Sequence, residues 1–225
     1  MIIEIFGVAG TGKTTILSNL VESHSSFYPI FKWRRLSHVP IYIQVAVSLF
    51  PIWLGCQTTG QSLSWQAINW MIRLQALNYL LQKQARNDGA IILLDQGPIY
   101  TLARLLDYGL ADSKSSSHRL VSWWQRSLEQ SSRVLDTVIF LDAPNGILAS
   151  RIRNRDKTHR IKQSSDLEIQ SFLNRHRLAY KQVIEQLQAG KNTPVLVYNT
   201  HRQSLDQIVI DIANQCLNSL ALLKI

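Results

Sequence analysis

Along the chain, short unbroken hydrophobic runs alternate with longer stretches in which apolar residues recur at helical spacing. Ile2-Ile3-Glu4-Ile5-Phe6 reads as a short buried strand. Tyr28 to Trp33, Ala90 to Leu94, Thr137 to Leu141 and Val195 to Tyr198 repeat that pattern, and two of these runs end at an aspartate, Asp95 and Asp142. Between them lie helical segments: Lys13 to about Ser23, Gln61 to Arg86, Tyr100 to Leu106, Leu120 to Leu128, Asn145 to Arg155, Leu167 to Gln188 and Leu205 to Leu220. The second is marked by Trp65, Ile68, Met71 or Ile72, Leu77, Leu80 and Leu81, and Asn87-Asp88-Gly89 stops it. A polar loop, Asp112 to Ser117, separates the third from the fourth. Strands without hydrophobic alternation, each followed by helix, predict an α/β fold with a parallel sheet covered on both faces. Ligands then belong beyond the carboxyl ends of the strands. No repeat, low-complexity tract or linker divides residues 1–225, so a single domain is expected.

Val39 to Gly55 stands apart from this pattern. It is apolar and near the short limit for a spanning helix, but it contains Pro40, Gln44, Ser48 and Pro51. A buried helix or pocket wall is expected there, with contact to a membrane or a lipid-like substrate as the other option.

Chemistry enters at Gly7-Val8-Ala9-Gly10-Thr11-Gly12-Lys13-Thr14, a GxxxxGK[ST] phosphate-binding loop set between a strand and a helix. Glycines allow the tight turn that points successive N–H groups at phosphate oxygens, and the following helix aims its positive end at the same place. Gly7, Ala9, Gly10, Thr11, Gly12, Lys13, Thr14 and Thr15 would hold the nucleotide. Lys13 would reach the β- and γ-phosphates, and Thr14 would ligate Mg²⁺.

Composition narrows the rest. The chain has 225 residues, 46% of them hydrophobic, enough for a full core without disulfides or metals. Cys56 and Cys216 match no metal spacing and read as packing residues. With the first strand beginning at Met1, no signal peptide is expected, and a soluble cytoplasmic protein without a membrane span follows. The net charge of +9 points to anionic partners. Arg151, Arg153, Arg155, Lys157, Arg160 and Lys162 crowd together with only Asp156 opposing them, and no aromatic residue is interleaved as a platform for stacked bases. A phosphate clamp fits better than a nucleic-acid groove, so nucleic acid is not expected as a partner. Arginine's planar fork suits bidentate phosphate contacts in a segment that closes over substrate.

Asp95, at the end of a buried strand, is the best candidate for a carboxylate near the reacting atoms, as a proton acceptor or a Mg²⁺ ligand through water. Its other reading is a cap on the next helix through Gly97 and Pro98. Asp142 reads as a cap on the helix after Ala143-Pro144-Asn145. Trp65, Trp70, Trp123 and Trp124 read as core, and His118, His159, His176 and His201 show no metal or triad spacing.

Leu141-Asp142-Ala143-Pro144, Arg151-Ile152-Arg153-Asn154-Arg155, Arg160-Ile161, and Phe172-Leu173-Asn174-Arg175-His176-Arg177 with Tyr180 together resemble the lid and following helix of thymidylate kinases. Joined to the phosphate loop and the strand ending in Asp95, the resemblance covers most of residues 1–24 and 70–215. It implies a three-layer, five-stranded P-loop kinase fold, ATP as donor, and an arginine lid at about 151–165 over the transferred group. Arg155 and Arg160 would act on that group, while Arg151 and Arg153 would lie against the nucleotide. The acceptor side departs from the family. Asp95-Gln96-Gly97-Pro98 stands where the family has an Asp-Arg pair. Lys32-Trp33-Arg34-Arg35 stands near its Arg-Glu-Pro-Gly-Gly stretch, and Arg73 and Gln75 are near its helix arginine but out of register.

The reading is therefore an ATP- and Mg²⁺-dependent small-molecule kinase whose acceptor is anionic, nucleotide-like or sugar-phosphate-like, bound by Arg34, Arg35, Arg73 and Gln96. A neutral hydroxyl acceptor, and a non-catalytic ATP-binding module or NTPase switch, remain as alternatives. A homodimer is left open.

Overall fold

The computed structural model describes residues 1–30, 38–58, 63–84, 90–110, 118–155, 161–190 and 193–222. In chain order its elements are β1 (Ile2–Gly7), α1 (Lys13–Ser23), β2 (Phe27–Ile30), α2 (Val39–Thr58), α3 (Trp65–Gln84), β3 (Ile91–Asp95), α4 (Pro98–Leu106), α5 (His118–Val134), β4 (Thr137–Asp142), α6 (Asn145–Arg153), α7 (Asp166–Gly190), β5 (Val195–Asn199) and α8 (Leu205–Leu222). The strands form one five-stranded sheet in the order β2-β3-β1-β4-β5, every neighbouring pair parallel.

That order and the right-handed crossover rule dictate the layers. The step from β1 to β2 runs toward one edge of the sheet, whereas β2 to β3, β3 to β4 and β4 to β5 run toward the other. The connecting helices must therefore lie on opposite faces. Accordingly Ile16, Leu17 and Leu20 of α1 share a core with Ile208, Ile212 and Cys216 of α8 on one side. Met71 and Leu74 of α3, Leu102 of α4, Trp123 of α5 and Leu173 of α7 fill the other. Strand β1 alternates between these cores: Ile3 and Ile5 enter the first, Ile2 and Phe6 the second. Asp95 pairs in register with Ile5, and Gly7 with Leu141, so the carboxyl ends of β1, β3 and β4 meet at one edge.

The hydrophobic pattern placed β1, β3, β4, β5 and the start of β2 to within about two residues. Among the helices, α3 is shorter than expected because the Ser64 hydroxyl accepts from the Ala67 N–H at 3.1 Å and starts the helix at Trp65. Trp65 itself faces solvent, while Met71, Leu77 and Leu81 are buried as expected. Helix α5 runs on to Val134, beyond the expected Leu128. Trp123 and Trp124 are core residues. The second part of the predicted β2, the helix stop at 87–89 and the loop at 112–117 lie outside the described residues.

The expectation for Val39 to Gly55 is corrected. The segment is helical, but it is neither a buried helix nor a wall of the main cleft. Only 17% of Val39–Gln57 is buried, and this is the one stretch among the described residues long and apolar enough, by length and composition, to cross a membrane.

Candidate functional site

The phosphate loop is shaped by contacts only glycine permits. A Cβ on Gly7 would lie 2.2 Å from the Leu141 carbonyl oxygen, because the loop turns directly against β4. Gly10 and Gly12 hold φ of 86° and 84°, the left-handed region. The Thr11 hydroxyl closes the turn by donating to Val8 O at 3.0 Å. Gly12 is the N-cap of α1, makes no side-chain cap, and no acidic residue follows in the first turn. The amides at that helix start therefore face the cleft without an internal anion, the arrangement that binds phosphate. Lys13 Nζ donates to the carbonyls of Gly7 and Val8, both at 2.9 Å. Burial lowers its pKa to about 8, Arg155 adds to that, and Asp95 opposes it.

Asp95 ends β3 across the cleft. Its Oδ1 is buried and has no hydrogen-bond partner. Burial raises its pKa, against the pull of Lys13, Arg73 and the Gln96 N–H. Gln96 has φ of 60°, a strained conformation for a non-glycine residue, so the turn after Asp95 is constrained by its surroundings.

The constraint comes from a residue that the sequence reading left unassigned. Glu4, fully buried on β1, accepts the N–H of Ile99 at 2.7 Å and of Tyr100 at 2.8 Å. It thereby caps α4 across the sheet, a role the sequence reading held open for Asp95. A Cβ on Gly97 would sit 2.7 Å from Glu4 Oε2, so the backbone passes directly over the carboxylate. Burial pushes the Glu4 pKa up to about 8, with Asp95 adding to the rise and the amides opposing it. Its one visible signal was a charged residue in the middle of an apolar strand.

Between these two walls lies a cleft of about 500 Å³, a volume suited to a small ligand. Gly7 to Gly10, Gly12 to Thr15, Asp95, Gln96, Arg151 and Arg155 line it, as the sequence reading anticipated for most of them. Thr11 is instead buried beneath the loop. Tyr100, Arg104, Phe172, His176 and Tyr180 complete the lining and were given no role beforehand. Arg104 Nη1 donates to Asp107 Oδ2 at 2.8 Å and lies 2.9 Å from His176 Nε2. His176 Nδ1 lies 2.9 Å from Phe172 O, an acceptor, so Nδ1 carries the proton and Nε2 accepts from Arg104. The imidazole is therefore neutral, and burial lowers its pKa.

The expected arginine sets are only partly assembled. Arg151 donates to Thr200 Oγ1 at 2.9 Å and Thr200 O at 2.8 Å, and reaches Gly10 O at 3.4 Å. Arg153 does not line the cleft. It pairs with Asp166 at 2.7 Å, because residue 153 closes α6 with its side chain toward the start of α7. Arg73 lies outside the lining: it sits 5.0 Å over the Trp70 ring and donates to Gln96 O at 3.3 Å, behind the Asp95 turn. Arg34, Arg35 and Arg160 lie outside the described residues. Asp142 does not cap α6, whose N-cap is Pro144. It accepts two hydrogen bonds from Arg177, at 2.7 and 2.9 Å, tying β4 to α7.

Solved structures share this architecture. A deoxyadenosine kinase from M. mycoides, with products dCMP and a flexible dCDP bound, is 21% identical with a TM-score of 0.51, over 97% of this chain and 100% of that one. The thymidylate kinase from Candida albicans is 16% identical with a TM-score of 0.55, over 97% and 91% of the two chains. The YorR protein of Bacillus subtilis, in complex with phosphorylated GDP, is 16% identical with a TM-score of 0.50, over 96% and 95%. No family model and no curated protein matches the sequence. The chain has a nucleoside monophosphate kinase-like P-loop fold.

Proposed function

We propose that the protein is an ATP-dependent phosphotransferase acting on a nucleoside- or nucleotide-like acceptor. One observation carries the reading: the uncapped phosphate loop and the unpartnered buried oxygen of Asp95 open into the same cleft, whose far wall is aromatic. Tyr100 and Phe172 offer flat apolar surface for a base, and Arg104 and Arg155 offer positive charge for an anionic acceptor. Both kinds of acceptor kinase occur among the similar structures.

In the reaction, an acceptor oxygen forms a bond to the γ-phosphorus while the bond from that phosphorus to the β,γ-bridging oxygen breaks, leaving ADP. Where the acceptor is a hydroxyl, its proton passes to Asp95. Lys13 exchanges its two carbonyl partners for β- and γ-phosphate oxygens, and Arg151 and Arg155 neutralise charge as it spreads over the transferred group. Mg²⁺ fits the donor set. The Thr14 hydroxyl would hold it beside the phosphates, and the unpartnered Asp95 Oδ1 would hold it through water where that carboxylate is not the proton acceptor. When bound, it would neutralise charge between the β- and γ-phosphates.

The test is ADP release measured against a panel of deoxynucleosides, nucleoside monophosphates, sugar phosphates and small alcohols, with products identified by mass. Release that requires one nucleoside or nucleotide acceptor supports the proposal. Equal release without any acceptor would mark an NTPase, and no release at all a binding module.

A further inference from the structure

His176 is buried on α7, the helix that packs against α4, with its ring centroid 4.0 Å from that of Phe172. Nδ1 donates to Phe172 O at 2.9 Å, one helical turn back, which leaves Nε2 as a bare acceptor 2.9 Å from Arg104 Nη1. Asp107 Oδ2 accepts from the same Nη1 at 2.8 Å. Arg104 Nε is buried without a partner, and the Trp70 ring, 5.9 Å from Cζ, offers a flat surface but no second hydrogen bond. Among the described residues the guanidinium is therefore hydrogen-bonded through Nη1 alone, by one anionic and one neutral acceptor. A second carboxylate in place of His176 would cancel the charge that an anionic acceptor needs. A neutral ring fixes the fork and leaves that charge to the ligand.

We infer that His176 is a positioning residue: its neutral imidazole aims the Arg104 guanidinium at the acceptor, and protonation at Nε2 releases it. The inference rests on the phosphotransferase reading of the cleft and adds to it the group through which acceptor binding follows pH.

An imidazolium has no lone pair to offer. At 2.9 Å it would set two cations against each other where water screens them poorly. Asp107 Oδ2 lies 3.6 Å from Nε2, near enough to attract the new N–H, which then competes with Arg104 for the oxygen that holds it. One proton therefore weakens both anchors of Nη1. Burial holds the pKa of His176 below the ordinary 6.5, Asp107 and the Phe172 carbonyl pull it back up, and Arg104 and Arg175 push it down. The anchor is therefore intact at neutral pH. The other ionisable groups of the cleft are Lys13, Asp95, Tyr100, Arg151, Arg155 and Tyr180.

Two measurements on the full chain test this, and the first needs no turnover. In nitrogen NMR spectra of the histidine rings, with the His176 signal assigned by its loss in His176→Gln, the ring should be neutral and protonated at Nδ1 at neutral pH. It should titrate higher in Arg104→Ala, where the facing cation is gone. A His176 signal that titrates alike in both proteins overturns the proposal, whether or not an acceptor has been found. The second measurement is the acceptor KM. His176→Phe keeps a ring against Phe172 but has no acceptor atom, and it should raise KM about tenfold at neutral pH with a much smaller change in kcat, the size of one lost hydrogen bond to a charged group. His176→Gln, whose amide oxygen accepts from Arg104 but does not titrate, should recover most of that loss. As pH falls through the titration of His176, the native KM should climb toward the His176→Phe value while that of His176→Gln does not follow. Comparing the two profiles removes the titration of the acceptor, Asp95 and Lys13, which both proteins share. In an Arg104→Ala background, His176→Phe should add less than about twofold, because nothing is left to position. Additive losses would make His176 a packing residue and overturn the proposal. So would a native KM that falls with acid relative to His176→Gln, which would make the imidazolium itself the acceptor's partner. Absence of any acceptor-dependent ADP release would count against the phosphotransferase reading, and the ring titration would still decide this one.

Discussion

The two walls of the cleft are built by opposite strategies. The proposed donor wall comes from one stretch of chain, Gly7 to Thr15, whose turn is set by glycine backbone conformations at Gly10 and Gly12. The proposed acceptor wall comes from side chains on three separate elements, Asp95 at the end of β3, Tyr100 and Arg104 on α4, and Phe172, His176 and Tyr180 on α7, with α4 capped from beneath by Glu4 of β1. Backbone groups bind any nucleotide phosphate in one way. A wall made of dispersed side chains can be rewritten residue by residue, and it is on this side that the chain departs from the thymidylate kinase pattern.

Lys13→Ala should break the donor wall outright. Losing the loop's only ammonium group should slow acceptor-dependent ADP release by roughly 10³–10⁵, the range for removing transition-state charge in phosphoryl transfer. MgATP affinity, read by calorimetry, should fall with it, while acceptor affinity should change little. Near-native turnover would remove the donor wall from the mechanism.

Asp95→Asn strikes where the walls meet. Turnover should fall by roughly 10²–10⁴ with ATP affinity within a few fold if the residue takes the acceptor's proton. If it holds Mg²⁺ through water, the same variant should be partly rescued by excess Mg²⁺, so a Mg²⁺ titration separates the two roles.

Arg104→Ala should affect the acceptor wall alone. The acceptor KM should rise by about 10–100-fold, as for a lost charge-assisted contact, with ATP affinity intact. Arg73→Ala should do less, because Arg73 lies behind Gln96 and outside the lining. A larger loss from Arg73 than from Arg104 would reverse this assignment and return the acceptor site to the cations expected from sequence.

The same contrast decides what was legible without a structure. The loop, the strand ends and the sheet class follow from local spacing, because backbone turns and buried strands leave contiguous signatures. Helix α5 was read too short because its last turns are buried through Ser127, Ser131 and Ser132, with Asn78 of α3 donating to Ser131 at 3.1 Å; apolar periodicity does not register buried hydroxyls. Arg104 and His176 are far apart in sequence, and neither has a spacing that announces the other. The apolar stretch in α2 was visible, but which of its faces is covered depends on tertiary packing.

Glu4→Gln should have the smallest effect on turnover and the most specific effect on stability. A buried carboxyl whose folded pKa is about 8 and whose ordinary value is 4.5 binds more protons folded than unfolded between those limits. Its contribution is therefore fully present below about pH 4.5, is lost as pH rises through 8, and then levels off. Asp95 and Lys13 are also shifted, so the informative quantity is the difference between the native protein and the variant. In thermal melts the native protein should lose stability relative to Glu4→Gln as pH rises from 4.5 to 8. Glu4→Leu, which leaves the Ile99 and Tyr100 amides unpaired, should cost about 2–4 kcal/mol at acid pH, where Glu4 is protonated in both states, and progressively less as pH rises. Because α4 carries both Tyr100 and Arg104, that loss should also raise the acceptor KM without moving ATP affinity. A pH difference that vanishes would mean Glu4 is ionised throughout, held as a fixed anion by the two amides it accepts from, and the acceptor wall would then rest on a permanent charge.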